Sequence, residues 1–279
     1  LRHRAVACEL ASVSFAYGST LVFSSATATI YEGECAVVCG RSGSGKTTLL
    51  DLMAGVVRPN SGVVLLFGSE VGSLERVVGQ VAYLISEPER YFFETTVVSE
   101  VALALRTRSR IGREEAESRA RAALRTVGLD DSYDERDPVH LSRGEKRRVA
   151  IAALLVTDAR VLLLDEPLIG LDYKGSIEVA LAIMNLVRNG ATVVVATHEL
   201  DPFLFFADRL FAIADSRLLE APLDDVESLF DVLSAASLAA SERIELSLLA
   251  RKHRLPLDVR ASEIDFIEQM ARALAGEVR

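Results

Sequence analysis

The sequence holds 279 residues, half of them hydrophobic and a quarter charged, with a formal net charge of −9 and no Trp. That length suits one large α/β domain, or one domain with a helical appendage, and the composition excludes long disorder. The negative balance excludes a protein held to nucleic acid by backbone phosphates, and no apolar run reaches the roughly 18 residues of a spanning helix.

Residues 8–39 read as strands and turns ending in the apolar run Cys35-Ala36-Val37-Val38-Cys39. Three cysteines without a CxxC pair argue against a disulfide framework or a zinc site. Cys8, Cys35 and Cys39 are therefore expected as small buried thiols, which fits a reducing cytoplasm. The first residues lack the basic-then-apolar pattern of a secretory leader.

Gly40-Arg41-Ser42-Gly43-Ser44-Gly45-Lys46-Thr47-Thr48 then matches GxxxxGK[ST] in full. A buried strand stands before it, and a helix is predicted from Lys46 to Met53-Ala54, stopped by Gly55. Glycines let backbone N–H groups curl around an anion, and the helix start adds its positive end. Lys46 is expected to reach the β- and γ-phosphates of a nucleotide, and the Thr47 hydroxyl to bind Mg²⁺. The motif by itself does not name the nucleotide.

Strands are predicted at Val63–Phe67 and Val77–Ile85. The pattern turns helical from Val97 to Val127, with heptad-like apolar spacing. A loop holding Asp137-Pro138 follows, and then a helix from about Gly144 to Val156. The stretch from about 86 to 157 reads as a helical insertion in a parallel α/β sheet. Val161–Leu164 is an apolar strand of the kind buried on both faces, delivering Asp165 and Glu166 at its carboxyl end, where open α/β sheets bind ligands. Asp165 suits the Mg²⁺ shell, and Glu166 the orientation or deprotonation of an attacking water. After a helix at Ile177–Asn189, Thr192–Ala196 is a second buried strand that puts His198 beside them, within reach of the γ-phosphate or the water. From about Asp224 the chain is mostly helical. Ser262 and Asp265 form a capping box, and Ile264, Ile267, Ala271 and Leu274 an apolar stripe, either docked on the core or forming a dimer contact.

In this order the motifs resemble the ABC ATPase family. Ser14-Phe15-Ala16-Tyr17-Gly18 resembles its adenine-stacking segment, with Tyr17 offering a ring face. Leu141-Ser142-Arg143-Gly144-Glu145 resembles the LSGGQ signature, and Gly170-Leu171-Asp172 the D-loop. The resemblance covers roughly residues 8–220. It implies an α/β P-loop NTPase of the ABC type: a nucleotide-binding domain over 1–220, with its helical subdomain at about 86–157, and a helical extension over 221–279. It also implies ATP and Mg²⁺ as ligands, ATP hydrolysis as the reaction, and a second ATPase, identical or distinct, docked head to tail. Ser142, Arg143, Gly144 and Glu145 of one module would then act on the ATP of the other, with Asp172 linking the two sites.

Within the family the chain is most similar to the ATPase subunits of energy-coupling factor importers of vitamins or transition-metal ions. The segments 87–97, 144–152 and 165–172 and the helical tail carry that likeness. The likeness implies a membrane coupling subunit, a substrate-binding membrane subunit and a peripheral place on the cytoplasmic face of the membrane. Tyr91, Phe92 and Phe93 are an unusually apolar set for a loop, suited to a partner helix, though one of the three is expected to pack inside the helical subdomain. Two positions depart from the pattern. Ser86 stands where the family has the Gln that touches Mg²⁺ and senses the membrane partner, and its oxygen reaches less far; Gln80, placed within the preceding strand, does not replace it. Arg143 stands where the signature has its first Gly. Two rival readings follow: a non-transport ABC ATPase, which lacks support because neither a long coiled-coil insert nor a second module is present, and a degenerate regulatory subunit, favoured by Ser86 and Arg143 and opposed by Glu166 and His198.

Overall fold

Three short runs, CAVVC, VLLLD and TVVVAT, are buried at every position, as aliphatic strands covered on both faces must be. They form the middle of the fold. The computed structural model describes residues 4–72, 77–108, 111–253, 255 and 257–274. In it β3 (Cys35–Cys39), β6 (Val81–Leu84), β7 (Val161–Asp165), β8 (Thr192–Thr197) and β9 (Arg209–Ala214) run parallel, and β10 (Arg217–Ala221) pairs antiparallel with β9. The sheet order is β10-β9-β3-β8-β7-β6. A second, antiparallel sheet, β2-β1-β4-β5, is built from β1 (Val6–Tyr17), β2 (Thr20–Tyr31), β4 (Ser61–Leu66) and β5 (Ser69–Glu70).

Side chains alternate across a strand, so the parallel sheet feeds two cores. Ala36, Val38, Leu163, Val194 and Ala196 face helix α1 (Lys46–Met53), whose Leu49, Leu50, Leu52 and Met53 pack in turn with Phe15 and Phe23 of the antiparallel sheet. Cys35, Val37, Leu164, Val193 and Val195 belong to the other core. That core takes in α2 (Val97–Arg108), α3 (Arg113–Thr126), α4 (Arg143–Leu155) and α5 (Tyr173–Arg188). Helices α2 to α4 lie between β6 and β7 in the chain. All three cysteines are buried and free, and burial pushes the thiols of Cys8 and Cys39 up to about 12.

Several expected boundaries shift. The strand predicted from Val77 begins at Val81, because residues 78–80 form a turn in which Gln80 N donates to Val77 O. Gln80 therefore precedes β6 rather than lying within it. The single helical run predicted for 97–127 is two helices, with Gly112, in an extended conformation, as the N-cap of the second. Their faces meet through Val97, Val101 and Leu105 against Ala116, Ala120 and Leu124.

A short helix, α6 (Asp201–Leu204), precedes β9; past β10 come α7 (Val226–Ala235), α8 (Glu242–Lys252) and α9 (Glu263–Leu274). Leu229, Leu233, Ile244 and Val259 are buried in the same core, and Arg260 Nη2 donates to Ala207 O at 2.9 Å. The tail is thus docked within the chain. Ser262 Oγ accepts from Asp265 N at 3.2 Å and donates to Asp265 Oδ2 at 2.6 Å. Two members of the predicted stripe, Ile267 and Ala271, are exposed, while the neighbouring Phe266 is buried beneath the Arg243 guanidinium, 4.9 Å from the ring centre. The side chains of Ile264 and Leu274 lie outside the described residues.

Candidate functional site

Residues 40–45 leave β3 at the carboxyl edge of the parallel sheet, the edge where open α/β sheets take ligands. Gly43 and Gly45 have φ of 77° and 110°, a region unfavourable to other residues. A Cβ at Gly45 would stand 2.6 Å from Val22 Cγ1, so the loop approaches β2 this closely only with glycine. The first ladder bond of α1 joins Leu49 N to Gly45 O; the N–H groups ahead of it stand outside the helical ladder, and with the positive helix end they favour an anion.

Lys46 folds back across this loop and is buried. Its Nζ donates to Gly40 O at 2.8 Å and to Arg41 O at 3.4 Å, and lies 3.4 Å from Glu166 Oε1. Thr47 Oγ1 donates to Asp165 Oδ2 at 2.7 Å. Arg41, Ser42, Gly43 and Thr47 form the exposed rim, Ser44 is half-buried and Thr48 is buried. Tyr17, half-exposed at the end of β1, is held edge-on by Phe15 with ring centres 4.8 Å apart.

Asp165 is almost fully buried at the end of β7. Burial, joined by the charge of Glu166, holds its carboxyl above the usual carboxylate range, against the opposing pull of the Thr47 hydroxyl and the cations of Lys46 and Arg147. An acid in that condition gains from a divalent cation. A hydroxyl and a carboxylate are hard oxygen donors of the type Mg²⁺ takes. Among the described residues no cluster of three or more His, Cys, Asp or Glu side chains cages a metal unaided, and Mg²⁺ is usually held by one or two protein oxygens with phosphates and waters.

Glu166 has φ of 48°, sparsely populated for a side chain of its size. Its N–H donates to Ala196 O at 2.8 Å, and Oε2 accepts from His198 N at 3.3 Å and faces His198 Nδ1 at 2.8 Å. Lys46, Glu166 and His198 are thereby strung together across three strand ends.

The signature residues sit at the start of α4. Ser142 Oγ accepts from Glu145 N at 3.3 Å while Ser142 N donates to Glu145 Oε2 at 2.7 Å, a reciprocal capping box. Tyr133 OH donates to the other Glu145 oxygen at 2.8 Å. Asp172 caps α5 by accepting from Gly175 N at 2.8 Å. The two helix starts touch: a Cβ on Gly144 would stand 3.0 Å from Gly170 O, and one on Gly170 3.6 Å from Arg143 Cδ. Among the described residues, no hydrogen bond or ion pair joins Ser142 or Asp172 to Lys46 or Glu166.

Ser86 is exposed, and its carbonyl accepts from Arg147 Nη1 at 2.8 Å. Beyond it Phe92 packs on the helical core, whereas Tyr91 and Phe93 are 56% and 77% exposed. The backbone here is fixed: Phe93 N and Glu94 N both donate to the buried Glu100 Oε2, at 2.8 and 2.7 Å. Two connections have no counterpart in the sequence reading. Tyr83 OH donates to Asp51 Oδ1 at 3.0 Å. Arg147, in α4, is 2% exposed and reaches the carbonyls of both acids. Its signal was its helical register, one face with Ala150, Ile151 and Leu154.

The sequence profile of the ABC transporter family matches residues 23–169. The energy-coupling factor transporter ATP-binding protein EcfA2 of Symbiobacterium thermophilum is 38% identical over 194 residues, 68% of this chain and 67% of that one. EcfA2 of Clostridium acetobutylicum is 33% identical over 81% of this chain and 80% of its own length. The ATP-binding cassette MJ0796, solved as a dimer in a post-hydrolysis state with ADP and Pi, superimposes with a TM-score of 0.71 at 25% identity, over 78% of this chain and 99% of that one. A cbiO1 from Clostridium perfringens, part of the ABC transporter complex cbiONQ, shares the fold with a TM-score of 0.71 over 88% of this chain and 99% of that one. With a loop built for phosphates, two acids and a histidine at adjoining strand ends, and these relatives, the chain belongs to the ABC transporter family of ATP-binding, ATP-hydrolysing subunits.

Proposed function

We propose that the chain binds Mg·ATP and spends its hydrolysis on uptake through an energy-coupling factor type transporter. Its assembly would contain a second ATPase docked head to tail, a membrane coupling subunit and a substrate-binding membrane subunit that takes a vitamin or a transition-metal ion. Among the described residues no helix is long and apolar enough to cross a membrane; the chain would sit peripherally on the cytoplasmic face, held by its partners.

The observation that carries this reading is the convergence of Lys46, Thr47, Asp165, Glu166 and His198 through contacts of 2.7–3.4 Å. The γ-phosphate takes the place of Glu166 as partner of Lys46 Nζ, and that exchange frees one carboxylate oxygen for the attacking water. His198 holds the other oxygen and fixes the direction of the first. Residues 40–48 wrap the phosphates with main-chain N–H groups, and Tyr17 stacks on the adenine. Thr47 and Asp165, with a minor share from Ser86, would hold Mg²⁺, which would supply charge neutralisation of the phosphate oxygens. Ser142 and Gly144 at the α4 helix start, flanked by Arg143 and Glu145, meet the γ-phosphate of the partner's ATP; Asp172 joins the two sites. Tyr91 and Phe93 present the apolar surface for the coupling subunit. The domain limits that go with this reading are 1–220 and 221–279, with the helical subdomain at about 86–157.

The experiment is purification of the tagged chain from detergent-solubilised membranes, with ATP turnover measured on the intact assembly. Integral membrane subunits are expected to co-purify, and Glu166→Gln to remove turnover from the assembly without dispersing it. A chain recovered without membrane subunits, or turnover unaffected by Glu166→Gln, would overturn the proposal. A degenerate regulatory subunit would instead bind ATP and show no turnover of its own.

A further inference from the structure

We propose that Arg147 is a positioning residue that carries the state of the loop at Ile85–Ser86 to the carboxylate of Glu166. The inference rests on the assignment of Glu166 made above. Strands β6 and β7 are parallel neighbours, and their last paired residues are Leu84 and Leu164. Immediately past that pair the ladder stops, and the Arg147 guanidinium takes over as the cross-link. Nη1 donates to Ser86 O at 2.8 Å and reaches Ile85 O at 3.4 Å; Nη2 donates to Asp165 O at 2.6 Å and to Glu166 O. Each nitrogen thus serves two consecutive carbonyls of one strand end.

Three physical features make this a coupling element. First, the guanidinium is planar and rigid, so displacement of the carbonyls on one side tilts the donors on the other. Second, Arg147 is 2% exposed, and a buried cation depends on its hydrogen bonds; it follows the carbonyls rather than releasing them to water. Third, Glu166 has φ of 48°, a conformation that persists only where its surroundings hold it. Its N–H is held by Ala196 O, and its carbonyl by Arg147 and by Ile169 N at 3.2 Å. The direction of the side chain toward water depends on that backbone.

On the other side, Ser86 leads through the turn Pro88–Tyr91 to the exposed Tyr91 and Phe93. The Ser86 side chain is short and exposed, whereas its carbonyl is bonded. The link between partner loop and catalytic carboxylate in this chain therefore runs through the main chain and Arg147. Lys at this position keeps the charge but not the fork, and Gln keeps two donors on a single nitrogen; neither spans both carbonyl pairs.

The test compares Arg147→Lys, Arg147→Gln and Glu166→Gln with the parent, each as the free full chain and as the assembly purified from membranes. Binding of a fluorescent ATP analogue, KM, kcat and the thermal midpoint are measured in both forms. For the two Arg147 variants the expected result is analogue affinity and KM within about twofold of the parent and kcat lowered by roughly 10²-fold, the scale of an ångström-sized misplacement. The ratio of assembly to free-chain turnover should also fall towards one. Parent kcat and parent ratio in a folded Arg147→Lys would overturn the proposal, as would an equal loss of affinity and kcat. Loss of folding in both Arg147 variants would overturn it too, making Arg147 a structural residue. The Glu166→Gln arm separates the two claims: parent turnover there sinks the assignment of Glu166, while its loss beside an active Arg147→Lys sinks only the role of Arg147.

Discussion

Lys46, Thr47, Asp165, Glu166 and His198 satisfy one another across the strand ends, whereas, among the described residues, Ser142 and Asp172 at two helix starts bond within their own helix starts. The strand ends carry fixed charge of both signs, with a cation that an incoming phosphate competes for. The helix starts carry the partial positive charge of their first turns and, in the case of Ser142 and Asp172, no cation of this chain's phosphate loop. On the proposed reading, one half takes the ATP bound by this chain, and the other an anion delivered by a second ATPase.

The largest expected effect on nucleotide binding breaks the strand-end half. Lys46→Ala removes the fixed cation, and a charge-assisted contact is worth enough to lower ATP affinity by roughly 10–10² fold. Isothermal titration reads this directly; unchanged affinity would contradict the placement of Lys46. The loop at Tyr91–Phe93 offers a sharper contrast between neighbours. Phe92→Ala is expected to cost about 2 kcal/mol of stability from lost burial, measured by chemical unfolding, with little effect on the exposed face. Tyr91→Ala with Phe93→Ala should leave stability within about 0.5 kcal/mol and release the chain from the membrane assembly. Equal destabilisation by both sets would erase the distinction. At the helix start, Ser142→Ala loses a capping box worth about 1 kcal/mol and should lower the turnover of the assembly, while ATP affinity of the free chain stays at the parent value. A drop in free-chain affinity would place Ser142 in this chain's own pocket.

The smallest effect concerns Asp165, whose carboxyl burial holds above its ordinary value. The folded state is then favoured by the bound proton; that stabilisation is complete below the ordinary carboxylate range and is lost as pH rises through the raised value. At neutral pH, without nucleotide or metal, Asp165→Asn should raise the thermal midpoint by a small amount. A lowered midpoint would reverse the sign assigned to this group.

Local signals carried most of this arrangement. The phosphate loop, α1 and the acids after VLLLD are legible because a handful of consecutive residues determine each: glycines that adopt left-handed φ, a helix started by Lys-Thr-Thr, and aliphatics too continuous for an exposed strand. What depended on distant residues was not legible. Arg243 of α8 lies over the buried Phe266 of α9, a contact that apolar spacing within α9 cannot report. The late start of β6 follows from a turn at Gln80, whose carbonyl accepts from the distant Val161 N. Phe92 turns inward and its two neighbours outward, as one of the three was expected to do, but which one depended on the packing of α2 to α4. Arg147 reads as one basic residue among several in Lys146-Arg147-Arg148, and only the folded chain brings the four carbonyls around it.

The most direct measurement of the division between the two halves is made on Glu166→Gln, with ATP binding and ATP turnover followed on the same sample. Loss of the carboxylate should leave ATP affinity at or above the parent value, because Lys46 and residues 40–48 are intact, and the loss of acid–base catalysis should lower kcat by roughly 10²–10⁴ fold. In the assembly, the two ATPases should remain closed on unhydrolysed ATP. Turnover at the parent rate would contradict the account, since the hydrolytic carboxylate would then lie elsewhere; so would loss of ATP binding, since Glu166 would then hold the nucleotide rather than its water.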